Sequence, residues 1–253
     1  MTIPLAQELQ DSIKELGISS VHTSLGIKIH LSPGCVACRN ELLESEDKPG
    51  YLTNGTFWKV SPKYRFDLLA WDIPKIADNL SLSIGIAHIY LPHVAAHITP
   101  PYQPTVVDDM FWYAIENGFR VASSGWDRIA LLLDLVLKLG VGQYCNYKKV
   151  IDRLKNRIEL NRSVAFGELK AFRDEKFVEL EGSLGEGFRH EATHLITTNT
   201  RFTMEVLEKL SIQKPEIRLT PLQAHKMLIA HYGYYINGVN CALKLIDTTV
   251  NQS

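Results

Sequence analysis

A chain of 253 residues that is 45% hydrophobic and 22% charged has apolar surface for one large core or two small ones, which excludes a disordered chain. Its formal net charge of −1 excludes binding of nucleic acid or anionic lipid by bulk attraction, so any such contact needs a local patch. Four cysteines, of which only Cys35 and Cys38 are close together, exclude a disulfide framework and fit a reducing compartment.

The opening stretch, MTIPLAQELQDSIKEL, has acids and amides where a secretory leader needs a basic start and an unbroken apolar core, and it predicts a short amphipathic helix. Residues 18–65 are rich in Gly, Pro, Ser and Thr, with β-branched pieces such as GIKIHL (26–31), and predict an irregular or weakly sheeted segment. Cys35 and Cys38 form one CxxC there, with His22 and His30 upstream. A structural zinc would need a second ligand pair that the segment lacks, so two reduced thiols in a turn are expected. His93 and His97 stand between Pro92 and Pro100 and are expected to be core or surface histidines.

Helix dominates from about Asp72. The stretch Asp108–Leu139 runs without proline, opens on two acids as a helix dipole prefers, and stops before Gly140, where a C-cap glycine belongs. At about 1.5 Å per residue it approaches about 50 Å, so it either kinks near Gly125 or forms the spine of a bundle. Gly118, Ala122 and Gly125 recur at roughly helical spacing, which lets a second helix approach closely, from the same chain in the first instance or from a second copy. The most apolar run, Ile129–Val141, is too short to span a bilayer and is interrupted by Asp134 and Lys138, so a soluble, cytoplasmic protein without membrane contact is expected.

Residues 148–176 carry Lys148, Lys149, Arg153, Lys155, Arg157, Arg162, Lys170, Arg173 and Lys176 against five acids. Such a run is a solvated helix face or a phosphate-attracting patch. Cys145 and Cys241 are expected to be buried small residues. The last helix starts at Thr220-Pro221, an N-cap followed by proline at the first helical position, and runs to about Asp247. The expected architecture is mainly α, a helical bundle over residues 69–253 preceded by a less regular α+β segment over 1–68.

Between these elements stands FRHEATH (188–194), preceded by the helix-breaking glycines 182, 185 and 187. It therefore opens a new helix. At about 100° per residue, one arc collects Arg189, His190, Thr193, His194, Thr197, Thr200 and Arg201, and the opposite arc collects Phe188, Ala192, Leu195, Ile196 and Phe202. One face is core and the other is a row of cations, imidazoles and hydroxyls. That face suits phosphate chemistry, because a histidine titrates near neutrality and can move a proton, while an arginine holds a non-bridging phosphate oxygen. No metal or cofactor is required.

The same residues also spell HExxH, with His190 and His194 placed to chelate zinc. A catalytic zinc needs a third protein ligand. Glu205 and Glu208 lie about 16 Å and 21 Å further along the same helix, leaving Glu216, His225 or Asp247 as candidates. The H-x-x-G-x-x-H continuation of a metal peptidase is missing.

RHEATH fits the R-[N/D/H]-x3-H form of the R-x4–6-H motif of the HEPN superfamily, and FWYAIENGFRVASSGWDRIALLLDLVLKLG (111–140) resembles the long early helix of that superfamily. The similarity covers roughly residues 70–247. It implies a four- or five-helix bundle that pairs as a homodimer, with the motifs of both chains lining one cleft. It also implies a metal-independent endoribonuclease acting on RNA, in antiphage defence or beside an antitoxin partner. Arg189 and His194 become the catalytic pair, with His190 at the polar position after the arginine. Thr193, Thr197 and Arg201 help hold the phosphate, and Asp127 and Glu116 are candidates to orient the pair by charge-assisted hydrogen bonds. Since members that have lost activity serve as binding modules, a noncatalytic RNA- or nucleotide-binding module is the alternative, and a zinc hydrolase the second.

Overall fold

The computed structural model of the chain describes residues 4–18, 21–44, 61–96, 105–142, 145–172, 174 and 220–250. These form nine helices and no strand: α1 (Pro4–Glu15), α2 (His22–Leu31), α3 (Pro33–Glu44), α4 (Pro62–Ala96), α5 (Val106–Val136), α6 (Tyr147–Leu154), α7 (Ile158–Asn161), α8 (Val164–Ala171) and α9 (Pro221–Val250). The protein is mainly α, as expected. Two compact units divide it, one of residues 1–20, 78–122 and 176–233, the other of residues 21–77, 123–175 and 234–253.

In the first unit α1 lies against α4, where Leu9 and Ile13 occupy the space beside Gly85. Leu80 and Ile84 of α4, Phe111, Ile115 and Phe119 of α5, and Leu228 of α9 form its core. The start of α5 is closed by a reciprocal cap: the Thr105 amide and hydroxyl donate to Asp108 Oδ2 at 2.6 and 2.7 Å, and the Asp108 amide donates back at 3.4 Å. The helix thus opens at Val106, two residues before the expected start, with Asp108 as a fully buried capping acid. Thr220 and Gln223 make the equivalent box at the start of α9.

In the second unit, residues 22–44 are two helices where an irregular or weakly sheeted stretch was expected. In a strand, Ile27, Ile29 and Leu31 would share one face. Here Leu25 and Ile29, one helical turn apart, are buried while Ile27 and Leu31 are 52% and 71% exposed, so packing overrides the β preference of the branched residues. Asp247 of α9 holds the start of α3 by accepting from the Ser32 hydroxyl at 2.6 Å and the Gly34 amide at 3.0 Å. Cys35 and Cys38 therefore sit buried on a helix, not in a turn. Burial pushes the Cys35 thiol up to about 11, against the pull of the Ser32 hydrogen bond, and raises Cys38 as well. Cys241 is buried as expected, and Cys145 is half-buried.

The end of α5 also departs from expectation. Gly140 has a positive φ of 69°, but the helix stops earlier, and the left-handed residue that turns the chain is Lys138 at φ 50°. The Leu139 amide reaches back to the Asp134 carbonyl at 3.1 Å, the long-range bond of a Schellman cap. The Asp134 carboxylate then accepts the amides of Val141 at 2.9 Å and Gly142 at 3.2 Å. Arg157 completes the end by donating to the Leu137 and Lys138 carbonyls at 3.3 and 3.4 Å.

The small-residue row on α5 serves packing within the chain. A Cβ at Gly118 would lie 2.5 Å from Leu228, and one at Gly125 would lie 2.5 Å from Tyr235, both on α9. Tyr235 cannot yield, because it is fully buried and its hydroxyl donates to the Ile73 carbonyl at 2.7 Å. Gly125→Ala is expected to cost about 1–3 kcal/mol through overpacking, outweighing the helix propensity it gains. At Gly233, where a Cβ would meet nothing within 4 Å, the same change should stabilise by up to about 1 kcal/mol. Opposite signs in a paired thermal or urea melt would confirm the packing, and two stabilised variants would refute it.

Candidate functional site

Arg189, His190, Thr193, His194, Thr197 and Arg201 lie outside the described residues, as does Glu216. The two acids expected to support them are described, and they fall in different units. Glu116 is only 7% exposed, with Arg120 one turn on at 3.7 Å. Burying a carboxylate is costly without a cation beside it, so Arg120 is a local reason why Glu116 is tolerated there. Asp127, half-buried in the second unit, accepts the Tyr147 amide at 3.4 Å and so helps to fix the entry to α6.

Elsewhere the first unit holds polar groups that the sequence alone did not bring together. Asn117 of α5 donates to the Ser83 hydroxyl of α4 at 2.9 Å. His231 of α9, 4% exposed, meets the edge of Phe119 at a centroid distance of 5.8 Å. His225, 3% exposed, stacks on His88 of α4 with centroids 5.4 Å apart. Its pKa falls to about 4, first because burial disfavours the imidazolium and then because His88 is adjacent, while a hydrogen bond to the Ile84 backbone opposes the shift. His225 Nε2 and His88 Nδ1 are buried without a hydrogen-bond partner. On the far side, His88 Nε2 is 3.8 Å from Glu15 of α1. His225 is therefore neutral at physiological pH and is a component of the helical core.

Residues 73–252 match the family described as HEPN_Cthe2314-like HEPN. This chain is a HEPN protein. The matched span takes in most of α4, all of α5 to α9, and the R-x4-H at residues 189–194. No curated protein and no solved structure matches the chain.

Within the HEPN span, the acids and histidines considered as further zinc ligands have other surroundings. Asp247 Oδ1 already accepts from Ser32 and Gly34, and His225 lies in the buried stack. Among the described residues, no group of three or more His, Cys, Asp or Glu is placed to hold a metal ion. The HEPN protein also has a small cleft in its second unit, of about 270 Å³, lined by Arg65, Asp134, Lys138, Gly140 and Gly142 beside two leucines of α5. Its acid, Asp134, holds the α5 terminus, and Lys138 is paired with Glu41, so both charges are already engaged. No helix among the described residues is long and apolar enough to cross a membrane.

Proposed function

We infer that this HEPN protein is a metal-independent endoribonuclease that cuts RNA through its own 2′-hydroxyl. The observation that carries this reading is an intact R-x4-H, Arg189 to His194, inside the span that matches the HEPN family. His194 moves the proton between the attacking 2′-oxygen and the departing 5′-oxygen. Arg189 holds the non-bridging oxygens as charge builds on phosphorus. His190, Thr193, Thr197 and Arg201 share the polar arc and position the phosphate. The new bond is 2′-O to phosphorus and the broken one is phosphorus to 5′-O, leaving a 2′,3′-cyclic phosphate and a 5′-hydroxyl. One motif offers few acid/base groups, so two chains facing each other complete the cleft. Glu116, a buried carboxylate of the first unit, is the candidate orienting acid. A cytoplasmic enzyme of this kind would need restraint, which fits an antitoxin or defence-system partner.

The test is cleavage of a mixed-sequence single-stranded RNA and its DNA counterpart, each with and without EDTA, followed by analysis of the product ends. RNA cut equally with EDTA, ending in cyclic phosphate, with DNA intact, is the expected result. Activity abolished by EDTA would overturn it in favour of zinc on His190 and His194, and absence of cleavage would favour a binding module.

A further inference from the structure

The basic excess at residues 148–176 is not used by that chemistry, and most of it falls on described residues. Helix α6 turns Tyr147, Val150, Ile151 and Leu154 inward and leaves Lys148, Lys149 and Arg153 exposed, as is Lys155 at its C-cap. Helices α7 and α8 continue the pattern, with Leu160, Phe166 and Leu169 buried and Arg162 and Lys170 exposed. The Tyr147 hydroxyl donates to the Leu169 carbonyl at 2.7 Å and ties the two ends of the segment together. Asn146 and Ser163 side chains cap α6 and α8 at 3.0 and 3.1 Å. The segment is thus held by its apolar side and its caps.

Some of those cations are engaged. Lys155 pairs with Asp152 at 3.4 Å, Lys170 with Asp174 at 3.7 Å, and Arg157 holds the carbonyls that end α5. Lys148, Arg153 and Arg162 are exposed and make no ion pair among the described residues. In a chain of net charge −1, three unneutralised cations on one short segment are a local positive field that the whole molecule does not have.

We propose that the outer face of α6 to α8 is a track for the phosphate backbone of RNA, with Lys148, Arg153 and Arg162 as its contacts. A membrane fits less well, because the exposed apolar residues of the segment, Ile158 and Val164, include no aromatic anchor and α6 spends its apolar face on the core. A phosphate chain takes separated cations without demanding a shaped pocket, and Lys148, Arg153 and Arg162 are separated, exposed cations of this kind. The identity of the strand as RNA rests on the ribonuclease reading, whereas the charge argument does not.

The experiment measures binding of a labelled single-stranded RNA across a salt series, in the His194→Ala background so that cleavage plays no part. It compares that parent with the same protein carrying Lys148→Glu, Arg153→Glu and Arg162→Glu. Each phosphate contact contributes about −0.7 to the slope of log affinity against log salt, so the slope should flatten by about 2. Affinity near physiological salt should fall about tenfold or more. Single-stranded DNA should lose as much, since only phosphates are read. If the charge reversal impairs folding, the three glutamine substitutions should still flatten the slope. Unchanged affinity and slope would overturn the track. So would a parent that ignores RNA but binds polyglutamate, a result that assigns the face to an acidic protein. Wild-type protein that binds RNA through these residues without cutting it would remove the ribonuclease reading and leave the track standing.

Discussion

Replacing His194 by alanine is expected to slow RNA cleavage by about a hundred- to ten-thousand-fold, the usual loss when a general acid/base is removed. Arg189→Ala should cost about a hundred- to a thousand-fold, as expected for loss of one group that stabilises developing charge. The two losses should not add in the double variant, because both residues act on one transition state. Thermal stability should be nearly unchanged in all three, since helical spacing of the sequence would put Arg189, His190 and His194 on the arc opposite Leu195, Ile196 and Phe202. Single-turnover cleavage and a thermal melt on the same preparations decide the matter. A His194→Ala protein that unfolds would mean that this arc belongs to the core, and equal turnover in wild type and variant would remove His194 from the chemistry.

That prediction draws on a motif legible as a string of residues, and the fold was legible where local signals agreed. The proline-free run, Gly118 and Gly125, and the Thr220-Pro221 start correspond to α5, its close contacts with α9, and the capped start of α9. The misses arise where distant residues decide. GIKIHL reads as β-branched until Leu25 and Ile29 find a core, and the start of α3 is held by Asp247, which is far along the chain. Gly140 is left-handed, as glycine allows, but α5 has already ended and the left-handed residue that closes it is Lys138, with Asp134 and Arg157 satisfying the polar groups around it. Helix α4 begins at Pro62 and contains Pro74 and Pro92, so its extent could not be read from proline as a breaker. The histidine stack of the first unit was illegible for the same reason. His225 stood in the sequence as a conceivable zinc ligand, and nothing local to it announces His88.

That stack is expected to make the HEPN protein sensitive to acid in a defined window. The His225 pKa drops from an ordinary 6.5 to about 4 in the folded protein. The unfolded chain therefore binds a proton at this site before the folded chain does, so the stability it supports is complete above pH 6.5 and declines as pH falls toward 4. Across that window the loss is up to about 3 kcal/mol, or about 6–12 °C in melting temperature for a chain of this size. Carboxylates elsewhere also lose partners in acid, so the informative quantity is a difference. His225→Gln cannot take up the proton, and its amide remains able to donate to the Ile84 backbone. The variant should start less stable at pH 7.5 and lose less between pH 7.5 and 4.5 than wild type. Equal losses in the two proteins would show that acid acts elsewhere and that the buried imidazole is not what couples this fold to pH.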